Sequence, residues 1–466
     1  MYSSVRSSWT TDMSSPDTVK PGDTVKPGDT VKPGDTVKPG DTVKPGDTVK
    51  PGDTVKPGEL AGATSTSGTF RSLRHQSARL FFFGLFVSMV GTWLQFTATS
   101  FLLYDLTGRA TDMGLNAMFQ FLPMLFLGAW AGGFADRHNR RIVTLCTQAS
   151  LAVLALLLGI LDLTGLVTLP VVYAMSFLLG ITNAIDNPAR RGLVTELVPP
   201  EDISNVISLN TAVMTGSRIF GPALAAVLVA PLGTGWLFIV NGLSFMAILV
   251  ALTRLSAQSL YQTPQAKPGG QPVREALRYV RDHGQLLVLF TVFTIVCTFA
   301  YNYAVVLPKL LDEKWNATRS FGWMLAVISA GSFLGSISIA RLRVVTSRWF
   351  FLSILCAGLG NIALAWSPNL LVAYLWSVPL GWSLGAMVST MNSLMQIGLP
   401  SEMRSRMLAL TAVAFLGSTP VGGPITGWIA DNVSNEWALG YGGVVSLGCA
   451  FAYFSVRSAE RSSQGG

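Results

Sequence analysis

Charged side chains are scarce in this 466-residue sequence: Asp, Glu, Lys and Arg make up 12% of it, about half the share of an ordinary soluble domain. The shortage argues against a large soluble protein with buried helices. Such helices show polar positions every three to four residues, and most of the long apolar runs here have none. Histidine is rarer still, with three residues, and the four cysteines Cys146, Cys297, Cys356 and Cys449 fall in separate apolar runs. Neither a disulfide framework nor a metal site is expected from them. The chain also lacks a Gly-x4-Gly-Lys-Ser/Thr phosphate loop. An enzyme is therefore a poor fit, and no cofactor is expected. Nothing before Leu80 has the apolar core of a cleavable leader.

What the chain has in abundance is hydrophobic length. Runs of roughly 20 apolar residues are long enough to cross a hydrocarbon core of about 30 Å as helix. Twelve are legible: Leu80–Tyr104, Gly114–Ala135, Ile142–Leu161, Leu166–Ile185, Ile203–Val229 and Trp236–Leu252, then Leu286–Leu307, Gly322–Ala340, Trp349–Trp366, Leu370–Ile397, Met407–Ala430 and Ala438–Val456. The fold class expected is an all-α membrane protein of two six-helix halves, 79–252 and 286–456. A connector at 253–285 joins them, and its stretch from Pro272 to Arg281 sets Val273, Leu277 and Val280 on one face, as in an interfacial amphipathic helix. The tails are 1–78 and 457–466. In the first tail, Asp17 to Gly58 is seven copies of Asp-Thr-Val-Lys-Pro-Gly. One valine per copy gives little to bury and each Pro-Gly interrupts a ladder, so a disordered tether is expected.

The net charge of +8 is placed for a membrane, not for nucleic acid. Arg137, Arg140, Arg141, Arg190, Arg191, Arg274, Arg278, Arg281, Arg341, Arg343, Arg348, Arg404 and Arg406 all fall in connectors on one side, with Arg71, Arg74, Arg79, Arg457 and Arg461 in the flanks. The other side holds only Arg109, Lys309, Lys314 and Arg319. By the positive-inside rule both termini are cytoplasmic, and the expected location is a bacterial inner membrane.

The halves echo one another. Pro199-Pro-Glu-Asp, followed by Leu209, Gly216 and Gly221-Pro222, recurs 201 residues later as Pro400-Ser-Glu-Met, Leu410, Gly417 and Gly422-Gly-Pro424. Parallel repeats of this kind put substrate near the membrane midplane, between the halves.

After the second span the chain reads Gly132-Gly133-Phe-Ala-Asp136-Arg137-His-Asn-Arg140-Arg141. The glycines allow close helix approach, and an acid among arginines suggests an ion-pair cluster able to form in one conformation and open in another. This run resembles the signature loop of the major facilitator superfamily, with Asn139 where that loop usually has glycine. The resemblance implies that Asp136 faces the amino-terminal end of the eleventh helix near Met407, and that Arg140 reaches Asp186 at the end of the fourth. Asparagine at 139 tolerates left-handed geometry better than most residues. The alternative for the arginines is that they only set topology. In the fifth span, Gly216-Ser-Arg218-Ile-Phe-Gly221-Pro222-Ala-Leu-Ala225-Ala226 is similar to the superfamily's antiporter motif, with alanines for its last glycines. It reads either as a pliable hinge or as plain helix packing. The segment Asp186-Asn-Pro-Ala-Arg190-Arg191 narrows the likeness to the branch with the enterobactin exporter and macrolide-efflux proteins.

Arg218 is the one clearly intramembrane charge, so it should face a wet cavity or a partner, either as a substrate-anion or proton-coupling group or as a structural arginine. Gln95, Asn116, Gln120, Asn302, Asn392 and Gln396 are candidate cavity residues, although each also suits an interhelical hydrogen bond. The function these features imply is proton-coupled efflux of a small amphipathic molecule by alternating access. The alternatives are an importer on the same fold and a non-transporting membrane sensor or scaffold. The expected partners are the lipid bilayer, the small-molecule substrate and protons. Neither nucleic acid nor a second copy of the chain is expected.

Overall fold

The computed structural model describes residues 71–255, 260–261, 272–397, 399 and 401–464. The seven-copy repeat and most of the connector before Pro272 lie outside the described residues. Among the described residues every regular element is helical. The first four crossings are α1 (Gln76–Thr107), α2 (Ala110–Arg137), α3 (Arg140–Leu163) and α4 (Leu169–Glu196). The fifth and sixth share α5 (Ile203–Arg254), which folds back at Gly233, whose φ of 75° is open to glycine but not to most residues. Next comes the connector helix α6 (Pro272–Asp282). The seventh crossing is interrupted, α7 (Gly284–Ala300) giving way to α8 (Tyr303–Trp315). The last five are α9 (Ser320–Ala340), α10 (Ser347–Ala365), α11 (Leu370–Leu394), α12 (Ser401–Asn432) and α13 (Asn435–Gln464).

Local signals set several boundaries. Gly108 adopts the left-handed conformation after α1 and its N–H closes on the Tyr104 carbonyl, the usual stop for a helix. Asn139 sits at φ −62°, ψ 109°, and its side chain accepts from the Ile142 N–H. It is the extended N-cap of α3, not a left-handed residue, because a side-chain acceptor satisfies the free helix donors without a positive φ. The chain is ordered before Leu80. Arg71–Arg74 form a 3₁₀ turn, and Ser72 donates through both its N–H and its hydroxyl to Asn205 Oδ1 at 2.9 and 2.6 Å. Arg71 and His75 both hold Asp202. Residues 71–78, read from sequence as tail, are thus pinned to the start of α5. Helix α13 likewise runs on to Gln464, past the end expected at Val456.

The connector helix forms, with a different buried face. Ala276 and Val280 are fully buried while Leu277 is 48% exposed. Ala276 and Val280 lie four residues apart on the side facing the second half, where they join Met407 and Phe293 in one cluster. Leu277 is rotated about 100° away. Glu275 on this helix pairs with Arg406 at the start of α12.

Three large clusters form the core. One is confined to the first half, with Phe81, Leu85, Leu193, Val206 and Phe245. A second is confined to the connector helix and the second half, with Phe293, Phe350, Met391 and Met407. The third crosses between halves: Phe101, Met113 and Ala225 meet Val306, Leu310, Phe321 and Met324. The first two lie toward the arginine-bearing connectors and the third toward the opposite end. Among the described residues, the large buried cluster shared by the two halves therefore lies at one end of the bundle.

Candidate functional site: an end seam, an arginine cluster and a midplane guanidinium

The weld at the far end has a repeated design. A side-chain carbon on Gly114 of α2 would strike the Gly423 carbonyl and Pro424 of α12; one on Gly322 of α9 would strike the Pro222 carbonyl and Ala226 of α5. Gly-Pro in the fifth span and Gly-Gly-Pro in the eleventh thus do the same work in the two halves, each seating the other half's second helix. Gly221 and Gly422, 201 residues apart, also match: one packs on Val90 and Trp93 of α1, the other on Thr298 and Asn302 of the seventh crossing. The sequence echo is an echo of contacts.

Polar groups close the seam. Helix α2 has Arg109 at its N-cap, which accepts no bond, so its first N–H groups need an acceptor from elsewhere. Asp431, at the end of α12 in the other half, supplies it. Its carboxylate accepts from the Ala110 N–H at 3.0 Å, the Thr111 N–H at 2.8 Å and the Thr111 hydroxyl at 2.6 Å. An anion at the C-terminal end of its own helix is poorly placed, and Lys309 offsets that with a 2.7 Å ion pair. Beside it the Tyr104 hydroxyl donates to Asp312 Oδ2 at 2.7 Å, again between halves.

Toward the other end the same face of α2 is less crowded. Gly114, Leu125, Gly128 and Gly132 share a stripe at intervals close to whole helical turns. Gly114 meets Gly423 and Leu125 lies against Gly417, but around Gly128, Gly132 and Gly133 no described residue comes within 4 Å of where a side chain would start. The close approach expected at Gly132 and Gly133 is not made by any of the described residues.

In the arginine cluster the partners differ from those implied by the resemblance. Helices α3 and α4 run antiparallel, so Arg140 lies level with the end of α4 and Thr147 with Asp186. Arg140 accordingly rests over Gly192 and pairs with Glu196 at 2.8 Å. Asp186, 1% exposed, is held instead by Arg190 at 2.9 Å, by the Thr147 hydroxyl at 2.8 Å and by the Gln148 amide at 2.9 Å. Arg141 donates to the carbonyls of Leu252 and Thr253, closing the end of α5. Arg137 is exposed. Asp136 belongs to the last turn of α2; its side chain, and so its expected approach to the end of α12, lies outside the described residues.

Of the six expected cavity residues, two bond between helices and two bond one turn back along their own crossing. Gln95 accepts from Asn241 at 2.6 Å, Asn116 accepts from Ser176 at 2.6 Å, and Asn302 donates to the Thr298 carbonyl at 2.6 Å. Gln396 donates to the Asn392 carbonyl at 2.6 Å. Gln120 is half-buried and its side chain makes no hydrogen bond among the described residues.

Arg218 stands apart. A side-chain carbon on Gly216, two residues earlier, would meet only the rings of Phe86 and Phe220, at 3.8 and 4.0 Å. Gly221 draws α5 onto α1, so the guanidinium one turn away lies over the Trp93 ring, its carbon 4.9 Å from the centroid. Its Nε is fully buried without a hydrogen-bond partner. On the other half, Tyr303 packs against the cluster that crosses between the halves. Tyr303 begins α8 where the seventh crossing is broken, Tyr301 and Asn302 having left the helical conformation. Burying a guanidinium at the bilayer centre costs at least about 2.5–3.5 kcal/mol on insertion scales, and a cation–π contact returns about 0.5–2 kcal/mol. The charge is under-compensated by its surroundings.

Sequence reasoning singled out Arg218, and Tyr303 as an aromatic that could stack on a substrate, but missed Glu196, Asp312 and Asp431. Asp431 carried a signal, an acid at the last turn of an otherwise apolar span; its partner is 320 residues away, beyond the reach of local pattern.

The chain is similar over 274 residues to the MFS-type transporter YfiS of Bacillus subtilis, at 25% identity, covering 57% of this chain and 64% of that one. The chain thus spans just under two thirds of that relative's length. It is also 24% identical over 377 residues to the multidrug efflux pump Tap of Mycolicibacterium fortuitum, covering 76% and 88%. Among solved structures, a variant of the nucleoside transporter NupG superposes with a TM-score of 0.68 at 11% identity, over 82% of this chain and 99% of that one. The family profile described as "transmembrane secretion effector" matches residues 67–464. The chain therefore belongs to that family, MFS_3, within the major facilitator transporters.

Proposed function

We propose that the protein exports a small amphipathic molecule across a bacterial inner membrane by alternating access, in exchange for protons. The observation that carries this reading is the pair of matched seams, Gly114 on Gly423 and Gly322 on Pro222, at one end of the bundle only. A bundle closed at one end and parted at the other, around an unpaired midplane guanidinium, is one half of a transport cycle. The arginines in the connectors at the parted end support a cytoplasmic location for that end and for both termini, so this arrangement is the inward-open one. The second half of the cycle would break the Asp431 and Tyr104 contacts and bring α12 against Gly128 and Gly132, which have the room for it. The efflux pump among the relatives supports outward direction.

The test is flux in inside-out membrane vesicles across a panel of amphipathic compounds. Uptake driven by an imposed proton gradient and abolished when the gradient is collapsed is expected. Uptake that ignores the gradient overturns the coupling, and absence of flux for the whole panel overturns the transport reading.

A further inference from the structure

The midplane site has a chemistry of its own. Two donors on opposite halves lie near it without hydrogen-bond acceptors among the described residues: the Arg218 guanidinium on α5, whose buried Nε is unpaired, and the hydroxyl of Tyr303 on α8, which packs against the cluster crossing between halves. Several carboxylates of the described spans are committed elsewhere. Asp186 and Glu196 are bound to arginines, Asp431 to Lys309 and the start of α2, Asp312 to Tyr104 and Thr318, Asp112 to Tyr173 and Asp162 to Thr234. The start of α8 at Tyr303 adds the positive end of a helix dipole on the same side. The Trp93 ring lies 4.9 Å from the guanidinium carbon, and a guanidinium presents a two-donor edge that suits a planar acceptor.

We propose that Arg218 and Tyr303 bind the oxyanion of an amphipathic carboxylate, and that Trp93 holds the guanidinium in position for it. The cargo is therefore an anion with an apolar body rather than a cation. Because its two donors sit on different halves, bound carboxylate also bridges the surfaces that must rock. The proposal deepens the transport reading and rests on it only in calling the ligand a cargo; binding is measured separately.

The experiment uses the full chain in phosphatidylcholine nanodiscs and three probes of one shape: 2-naphthoate, 2-naphthamide and 2-naphthylmethylammonium. Equilibrium binding should favour naphthoate by about tenfold or more over the amide, the usual margin for a hydrogen bond to a charged group. Arg218→Gln should reduce that preference to near unity, Arg218→Lys should keep part of it, and Tyr303→Phe should lower naphthoate affinity a few-fold. Melting curves identify any variant that fails to fold, and the wild-type preference is decisive without them. Equal affinity for the three probes, no binding, or a preference that survives in folded Arg218→Gln overturns the proposal. Adding phosphatidylglycerol separates a lipid phosphate from a soluble carboxylate. Loss of naphthoate binding would mean that the site holds lipid and would overturn the cargo assignment; unchanged binding supports it. Flux of the same probes in vesicles tells the two readings apart. Naphthoate-selective binding without flux of any compound leaves the anion site and removes transport, whereas flux of the amine without anion preference does the reverse.

Discussion

Replacing Asp431 by Asn tests the clasp between the halves at the sealed end. The carboxylate holds α2 through three bonds, from the Ala110 N–H, the Thr111 N–H and the Thr111 hydroxyl, split between its two oxygens. Asparagine keeps one oxygen and turns an NH2 group toward donors on the other side, so one side of the clasp is lost along with the charge. Hydrogen bonds to a charged group contribute about 1.5–3 kcal/mol. The Lys309 pair lies within the second half and persists in both conformations, so it cancels. The sealed state should therefore lose about 1.5–3 kcal/mol relative to the opened one, a shift of roughly 10- to 150-fold. An opened state present at about 1% would rise to about 10% or more. The assay is pulsed electron–electron spin resonance between labels at Leu106 and Val433, both exposed at that end and on opposite halves, in protein whose four cysteines are replaced. A new long-distance population is expected in the variant. A distribution identical to that of wild type, in folded protein, would refute the argument that Asp431 closes this end.

Three further outcomes follow. Gly132→Leu should leave melting unchanged, because none of the described residues lies within 4 Å of the added carbon, yet stop transport by blocking approach of α12; undiminished flux would remove the stripe from the cycle. Arg190→Met strands Asp186, 1% exposed, as an uncompensated buried charge, a loss of about 3–5 kcal/mol, and should lower the melting temperature sharply or abolish expression. Restoring neutrality with Asp186→Asn in the same chain should recover part of that loss. Asp136→Asn should cut flux severely with normal membrane insertion, whereas normal flux would leave the neighbouring arginines with a topological role alone.

The fold was legible because the membrane simplifies the problem. Long apolar runs set the crossings and arginines their orientation, and both signals are local. Span ends were less so: the seventh crossing extends to Trp315, not Leu307, because Lys309, Asp312 and Lys314 find partners in neighbouring helices and need not stand in a loop. The Gly-Pro repeat was readable as duplication, but its role as a seam needed three dimensions. Gly221 and Gly422 are recognisable in sequence, and what they touch is not. Arg140 shows the same limit. The resemblance implied Asp186, yet antiparallel register delivers Glu196 to it and leaves Asp186 to Arg190, Thr147 and Gln148. Polar residues in spans were the least informative class, since an amide such as Gln95 is as useful to Asn241 as to a ligand. Arg218 was visible from sequence because an unneutralised charge at mid-span has no cheap structural use.

The central claim, that transport requires the sealed end to open, is tested most directly by tying it shut. Tyr104 and Asp312 face each other across the halves with their polar atoms 2.7 Å apart. Cysteines at both positions, in a background without the native four, can be bridged by a short bis-thiosulfonate and freed again by a reductant. Flux is followed in inside-out vesicles for any compound the reduced protein moves. The bridged protein should bind that compound and move none of it, with flux restored on reduction. Equal flux before and after reduction, at complete bridging, would contradict alternating access through this end.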